Sequence, residues 1–152
     1  MGIIPDRVRE QLQARFEGAL TGPVHLTLYV KPGSSRLILP AGVGCATCED
    51  AREIAEALRD AAPEKVTLET IDVTRDVDKA SMVSDVPTIV VSSSADEGRV
   101  RFQGLPAGTE FPALIEAVER VSRKDPGLSE VSLSQLTRLT EPTEVLVFGT
   151  PT

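Results

Sequence analysis

A chain of 152 residues, 41% of them hydrophobic, is the size of one domain, or of one domain with a piece of another attached, and has enough apolar residues for a packed core. Sixteen basic and 23 acidic residues, a formal charge of -7 and no long charged block disfavour phosphate backbones and anionic lipid, so the expected ligand is a small solute or a peptide and not nucleic acid. The opening MGIIPDRVREQ is too short in apolar residues for a secretory h-region, and no window approaches the roughly 20 apolar residues of a membrane span, so no membrane partner and a cytoplasmic setting are expected.

From Asp6 to Leu20, apolar Val8, Leu12, Phe16 and Leu20 recur every fourth position and predict a helix that Thr21, Gly22 and Pro23 stop. VHLTLYV (24–30) predicts a strand with Leu26, Leu28 and Val30 on one face and the chain's one histidine, His25, on the other, where a structural role is expected. The glycines, prolines and serines of 32–44 predict a loop, in which Leu37, Ile38 and Leu39 form a short strand or an apolar flap. Ala51, Ile54, Ala55, Leu58 and Ala62 then mark a helix ending near Pro63.

VTLETIDV (66–73) has the residues of a strand, and a short helix or turn is expected over 75–84. DVPTIVV (85–91) predicts a further strand entered through a proline. SSSADEG (92–98) turns the chain into RVRFQ (99–103), whose Val100 and Phe102 alternate with polar neighbours. Phe111, Leu114, Ile115, Val118 and Val121 supply one more helix face. This order of helices and strands points to an α/β sandwich around a mixed sheet.

Near the end, LTEPTEVLVFGTP (139–151) echoes LTGPVHLTLYVKP (20–32). Both have Leu-Thr-x-Pro, apolar residues at corresponding positions, an aromatic (Tyr29, Phe148) and a closing proline, and both follow a predicted helix. Residues 128–152 therefore read as the opening of a second copy. A lone strand at Val145–Phe148 has to pair onto the first sheet or find another chain, so some homodimerisation is expected.

The two cysteines, Cys45 and Cys48, stand two residues apart at the start of the second predicted helix. In a reducing compartment a two-cysteine protein seldom needs a permanent staple. A closed zinc site needs about four ligands, and one distant histidine does not complete it, so neither a metal nor another cofactor is expected; a metal half-site shared between two chains and an inert pair stay open as minor readings. The favoured reading is a redox couple. The helix dipole favours a thiolate at Cys45, and Cys48 one turn below can attack a mixed disulfide intramolecularly. Glu49 and Asp50 oppose that thiolate at close range, unless Lys31 and Arg36 offset them. Asp72 could accept a proton from Cys48 if buried beneath it, but the preferred reading is a solvated strand-end aspartate.

GCATC (44–48), DVPTIVV (85–91), RFQGLPAGTEF (101–111) and the closing LVFGTPT together resemble the protein disulfide oxidoreductases, glutaredoxin-like proteins built of two tandem thioredoxin-fold units. The two-unit fold is also similar to the N-terminal domain of the alkyl hydroperoxide reductase flavoprotein. The resemblance implies a thioredoxin-like α/β fold with a central mixed sheet and flanking helices over residues 1–125. It also implies that 126–152 supply the first helix and strand of a second, incomplete unit. It further implies a thiol–disulfide oxidoreductase with Cys45 as nucleophile and Cys48 as resolving cysteine. Val86, Pro87 and Thr88 would then face the substrate through a cis-proline loop, with protein thiols or disulfides and an upstream reductase as partners. A non-catalytic scaffold domain of a larger redox protein is the alternative from another class.

Overall fold

The computed structural model describes residues 2–32, 44–93 and 100–148. The expected flap at Leu37–Leu39, most of the 92–98 turn and the closing Thr150–Thr152 lie outside the described residues. Helix α1 (Asp6–Ala19) ends where predicted, the Leu20 N–H donating to the Phe16 carbonyl. Leu12 and Phe16 are buried on its stripe, Leu20 just beyond it is buried too, and Val8 is only half-buried.

The turn that follows is fixed by close approach. A Cβ on Gly22 would stand 2.8 Å from the Ser122 carbonyl oxygen. Ser122 Oγ accepts from the Thr21 and Gly22 N–H groups and donates to the Gly22 carbonyl. Any side chain at Gly22 would push this turn away from the helix that carries Ser122.

Strand β1 (Val24–Val30) is the organising element. It pairs in parallel with β2 (Val66–Asp72) and antiparallel with β3 (Thr88–Ser92), which pairs antiparallel with β4 (Val100–Gln103). The sheet order is β2-β1-β3-β4. The parallel β1–β2 link passes through α2 (Cys48–Ala61), so α2 runs back along the sheet and begins at the end where β1 and β2 finish.

One sheet face, with Leu26, Leu28 and Val30, joins Phe16 of α1, Ile54 and Leu58 of α2, and Leu114 and Val118 of α4 (Phe111–Arg123) in the main core. The other face holds a smaller cluster of Tyr29, Ile71 and Val90. Across the top of the core, Glu119 of α4 is buried and bonded in a two-pronged pair to Arg15 of α1.

Three expectations change at their edges. The strand expected over 85–91 begins at Thr88, because Pro87 has no N–H to give a ladder. The helical stretch expected over 75–84 is one turn, α3 (Val77–Ala80), capped by the Asp76 carboxylate accepting from the Lys79 N–H; Val77 faces solvent, so nothing packs a longer helix. Helix α5 (Glu130–Leu136) forms, but 143–148 join no strand, and Val145, Leu146, Val147 and Phe148 are exposed. A strand needs a neighbour's backbone to pair with, and none of the four sheet strands is beside them.

Candidate active site

The cysteines owe their different surroundings to helix periodicity. On α2 the buried residues Cys48, Ala51, Ile54, Ala55 and Leu58 recur at three- and four-residue spacing, so Cys48 begins the stripe that packs on the sheet. It is fully buried. Cys45 lies three residues earlier, past the helix end, and is only half-buried while still touching the main core.

Gly44, just before it, has φ 106°, a left-handed conformation that a side chain would resist. That conformation turns the chain sharply into the pair. Cys45 and Cys48 are joined in a disulfide with their Cα atoms 5.4 Å apart.

The same end of α2 concentrates charge. Its first-turn N–H groups and dipole present partial positive charge to Cys45, while Glu49 and Asp50 bring negative charge to the first turn. Glu49 is drawn towards Arg52, 3.7 Å away. Lys31 is half-buried at the end of β1; Arg36 lies outside the described residues.

The second component arrives on β3. Tyr29 of β1 is opposite Thr88, so the residues before Thr88 sit where β1 ends, at the end of the sheet from which α2 starts. The Val86–Pro87 peptide bond is cis. Val86, like Cys45, packs on the main core.

The loop ahead of Thr88 is tied down from β4. Arg101 Nη1 donates to the Met82 carbonyl (2.7 Å), Gln103 Nε2 to Ser84 Oγ (2.6 Å), and the Gly104 N–H to the Pro87 carbonyl (2.8 Å). Thr88 is fully buried, and its Oγ1 donates to the Asp85 carbonyl at 2.7 Å. Its hydroxyl thus braces the loop and does not face outward. Asp85 Oδ1 accepts from the Val86 N–H at 2.7 Å.

Topology therefore brings together Cys45, Cys48, Val86, Pro87 and Thr88 at the carboxyl ends of the parallel strands, where open α/β sheets commonly bind ligands. Asp72, the last residue of β2, ends at this same side of the sheet but is engaged in its own turn, and His25 lies at the other end. Asp72 closes its own turn: Oδ1 accepts from the Thr74 N–H (2.9 Å) and Oγ1 (2.6 Å), and these bonds from Thr74 hold its carboxyl below the usual range. His25, at the opposite end of β1, bridges Thr67 Oγ1 at 2.7 Å and lies 3.7 Å from Glu69. His25 is structural, as its position suggested; Asp72, expected as a solvated strand-end aspartate, is half-buried and bonded to Thr74.

The loop braces Asp85, Arg101 and Gln103 escape a reading of the sequence. Alternation alone assigns Arg101 and Gln103 to a solvent face, and only the β3–β4 register turns them towards residues 82–84.

Neither a protein-family model nor a curated protein sequence matches the chain. Solved structures do. A protein disulfide oxidoreductase from Aeropyrum pernix K1 superposes with a TM-score of 0.74 at 25% identity, covering 91% of this chain and 56% of that one. The fold is thioredoxin-like. The alkylhydroperoxide reductase AhpF of Enterococcus faecalis has the same fold, with a TM-score of 0.67 at 21% identity over 89% of this chain and 60% of that one. The NTD_N/C domain of that protein gives 0.62 at 23% identity, over 86% of this chain and 58% of its own. The thioredoxin-like chain described here thus spans between 56% and 60% of these three neighbours, and its likeness to the disulfide oxidoreductase runs through nearly all of its own length.

Proposed function

We propose that this chain is a thiol–disulfide oxidoreductase unit that exchanges dithiol for disulfide with protein substrates. Cys45 is the nucleophile, Cys48 the resolving cysteine, and the backbone at Val86–Thr88 the surface against which the substrate lies. The observation that carries the reading is the asymmetry of the bonded pair. Cys48 is sealed in the core, and Cys45 is half-exposed at the positive end of a 14-residue helix, on the same end of the sheet as the cis Val86–Pro87 bond.

In the reducing direction the Cys45 thiolate attacks one sulfur of a substrate disulfide. The Cys45–substrate bond forms, the substrate S–S bond breaks, and the departing sulfur takes a proton. The deprotonated Cys48 then attacks Cys45 Sγ, closing the Cys45–Cys48 bond and releasing the second substrate thiol; two electrons have passed to the substrate. The short tether gives this second attack a high effective concentration. A protein dithiol, the upstream reductase, returns the two electrons. Run in reverse, the same steps oxidise a dithiol, and the reduction potential decides which direction prevails.

The proposed setting is the cytoplasm; among the described residues no helix is long and apolar enough to cross a membrane. Residues 1–125 form the exchange unit in this reading, and 126–152 the leading part of a second one. In support, α5 precedes Leu139-Thr140-Glu141-Pro142 as α1 precedes Leu20-Thr21-Gly22-Pro23. The exposed Val145–Phe148 segment is then the place where two copies associate.

The test is to equilibrate the chain against glutathione or dithiothreitol buffers and count free thiols. A potential between about -270 and -120 mV, the span of catalytic dithiols, is expected, with Cys45 alkylated before Cys48 in the reduced protein. A disulfide that resists reduction below about -300 mV would be a staple and would overturn the reading.

A further inference from the structure

In the loop ahead of β3 the two backbone groups of Val86 are treated differently from each other. Its N–H is occupied by the carboxylate of the preceding residue, Asp85, at 2.7 Å. Among the described residues no donor reaches its carbonyl oxygen. Asp85 is exposed and forms no ion pair among the described residues. Arg101 of β4, which reaches this loop, donates to the Met82 carbonyl, and Lys31, which the β1–β3 register brings to the same end of the sheet, forms no ion pair with Asp85 among the described residues.

We propose that Asp85 is a specificity-determining residue that makes the site prefer protein segments with a basic residue beside the reacting cysteine; this rests on the exchange activity proposed above. An extended segment laid along Val86 can donate at once to the open carbonyl. To accept from the Val86 N–H it has to dislodge the Asp85 carboxylate, because one hydrogen cannot serve two good acceptors. A lysine or arginine on the segment gives the dislodged carboxylate a new partner. A glutamate or aspartate there meets an unneutralised like charge, and the penalty falls on the complex that has to form before sulfur attacks sulfur. The overall charge of -7 acts in the same direction from further away, so the local effect is isolated only by a substitution at Asp85 itself.

The test uses the reduced full chain and two synthetic peptides, Ala-Lys-Cys-Lys-Ala and Ala-Glu-Cys-Glu-Ala, each joined by a disulfide to thionitrobenzoate. Attack by Cys45 on the peptide sulfur forms the Cys45–peptide bond, breaks the peptide–thionitrobenzoate bond and releases coloured thionitrobenzoate with the electron pair. The wild-type chain is expected to react faster with the lysine peptide. Asp85→Asn still offers an oxygen to the Val86 N–H but carries no charge, and should shrink the lysine-to-glutamate rate ratio by on the order of threefold to fivefold, the scale of one exposed charge pair. Asp85→Glu should restore the ratio. Added salt should pull the wild-type ratio down towards the Asp85→Asn value.

A ratio that Asp85→Asn leaves unchanged, while both peptides still react, overturns the role of Asp85 and leaves the exchange activity standing. Reaction with neither peptide overturns the exchange activity itself, and the role of Asp85 falls with it.

Discussion

Residues 24–30 and 143–148 carry nearly the same pattern and meet opposite fates. The first is a central strand, buried on both faces and paired on both edges; the second carries Val145, Leu146, Val147 and Phe148 into solvent. The difference lies in the surroundings and not in the residues. β1 has β2 and β3 to complete its backbone hydrogen bonds and α1, α2 and α4 to cover its side chains, whereas β-propensity without such neighbours stabilises nothing by itself. A strand pattern is a statement about what a segment can do once a partner is present.

The most direct way to break this comparison is to truncate corresponding side chains. Leu28 is fully buried between α-helices and sheet, so Leu28→Ala should cost about 2–5 kcal/mol of stability in urea unfolding. Its counterpart in the echo is Val147, and Val147→Ala should change stability by no more than about 0.5 kcal/mol. Equal losses at the two positions would mean that the second segment is packed in solution after all.

The helices that precede the two segments differ in the same way. Helix α1 buries Leu12 and Phe16 and ties Arg15 to the buried Glu119, while α5 has no buried residue. Arg15 is itself half in water, so most of the cost of cutting this pair falls on the carboxylate it leaves behind. Arg15→Ala is expected to destabilise by about 2–3 kcal/mol, and the double change with Glu119→Gln should recover part of that loss, because the stranded charge is gone. A double variant no better than Arg15→Ala would show that packing of the Arg15 stem, and not the buried charge, dominates.

These contrasts show how far the sequence could be read. Periodicity located α1, α2 and α4 because each buries a stripe whose spacing is written in the residues themselves, while β-branched and apolar residue types, with alternation in β1 and β4, located the strands. The cysteine pair was legible for the same reason: spacing put Cys48 on the α2 stripe and Cys45 beyond the helix end. The braces on the 82–88 loop were not, because Arg101 and Gln103 reach Met82 and Ser84 across 19 residues through a register that no local pattern encodes. The one-turn length of α3 and the unpaired state of 143–148 depend on the absence of packing, and propensity does not record that.

The proposed association gives a smaller effect. Val147→Lys should leave the thermal unfolding of the chain unchanged while lowering the average mass at high concentration, read by light scattering or sedimentation. A wild-type mass that stays monomeric at every concentration would remove Val145–Phe148 as a contact between copies.

The smallest effect compares this free segment with residues 2–4, which are fastened. The Glu53 carboxylate on α2 accepts from the Ile3 N–H (2.8 Å) and the Ile4 N–H (3.0 Å) and pairs with Arg9. The bond from Ile4, then that from Ile3, holds the Glu53 pKa below its ordinary value of 4.5, against the opposing effect of burial. A carboxyl with a lowered pKa in the folded state binds protons more tightly once the chain unfolds. Its contribution is therefore fully present above about pH 4.5 and is lost as pH falls through the lower folded value. Glu53→Gln should give a melting temperature that falls less steeply below pH 4.5 than in the wild type, with faster amide exchange at Ile3 and Ile4 at neutral pH. Glu69 and Asp72, lowered by Lys79 and Thr74, act in the same direction, so some acid sensitivity should persist. Superimposable acid limbs in the two proteins would mean that the strap over α2 is held by the burial of Ile4 and not by the carboxylate.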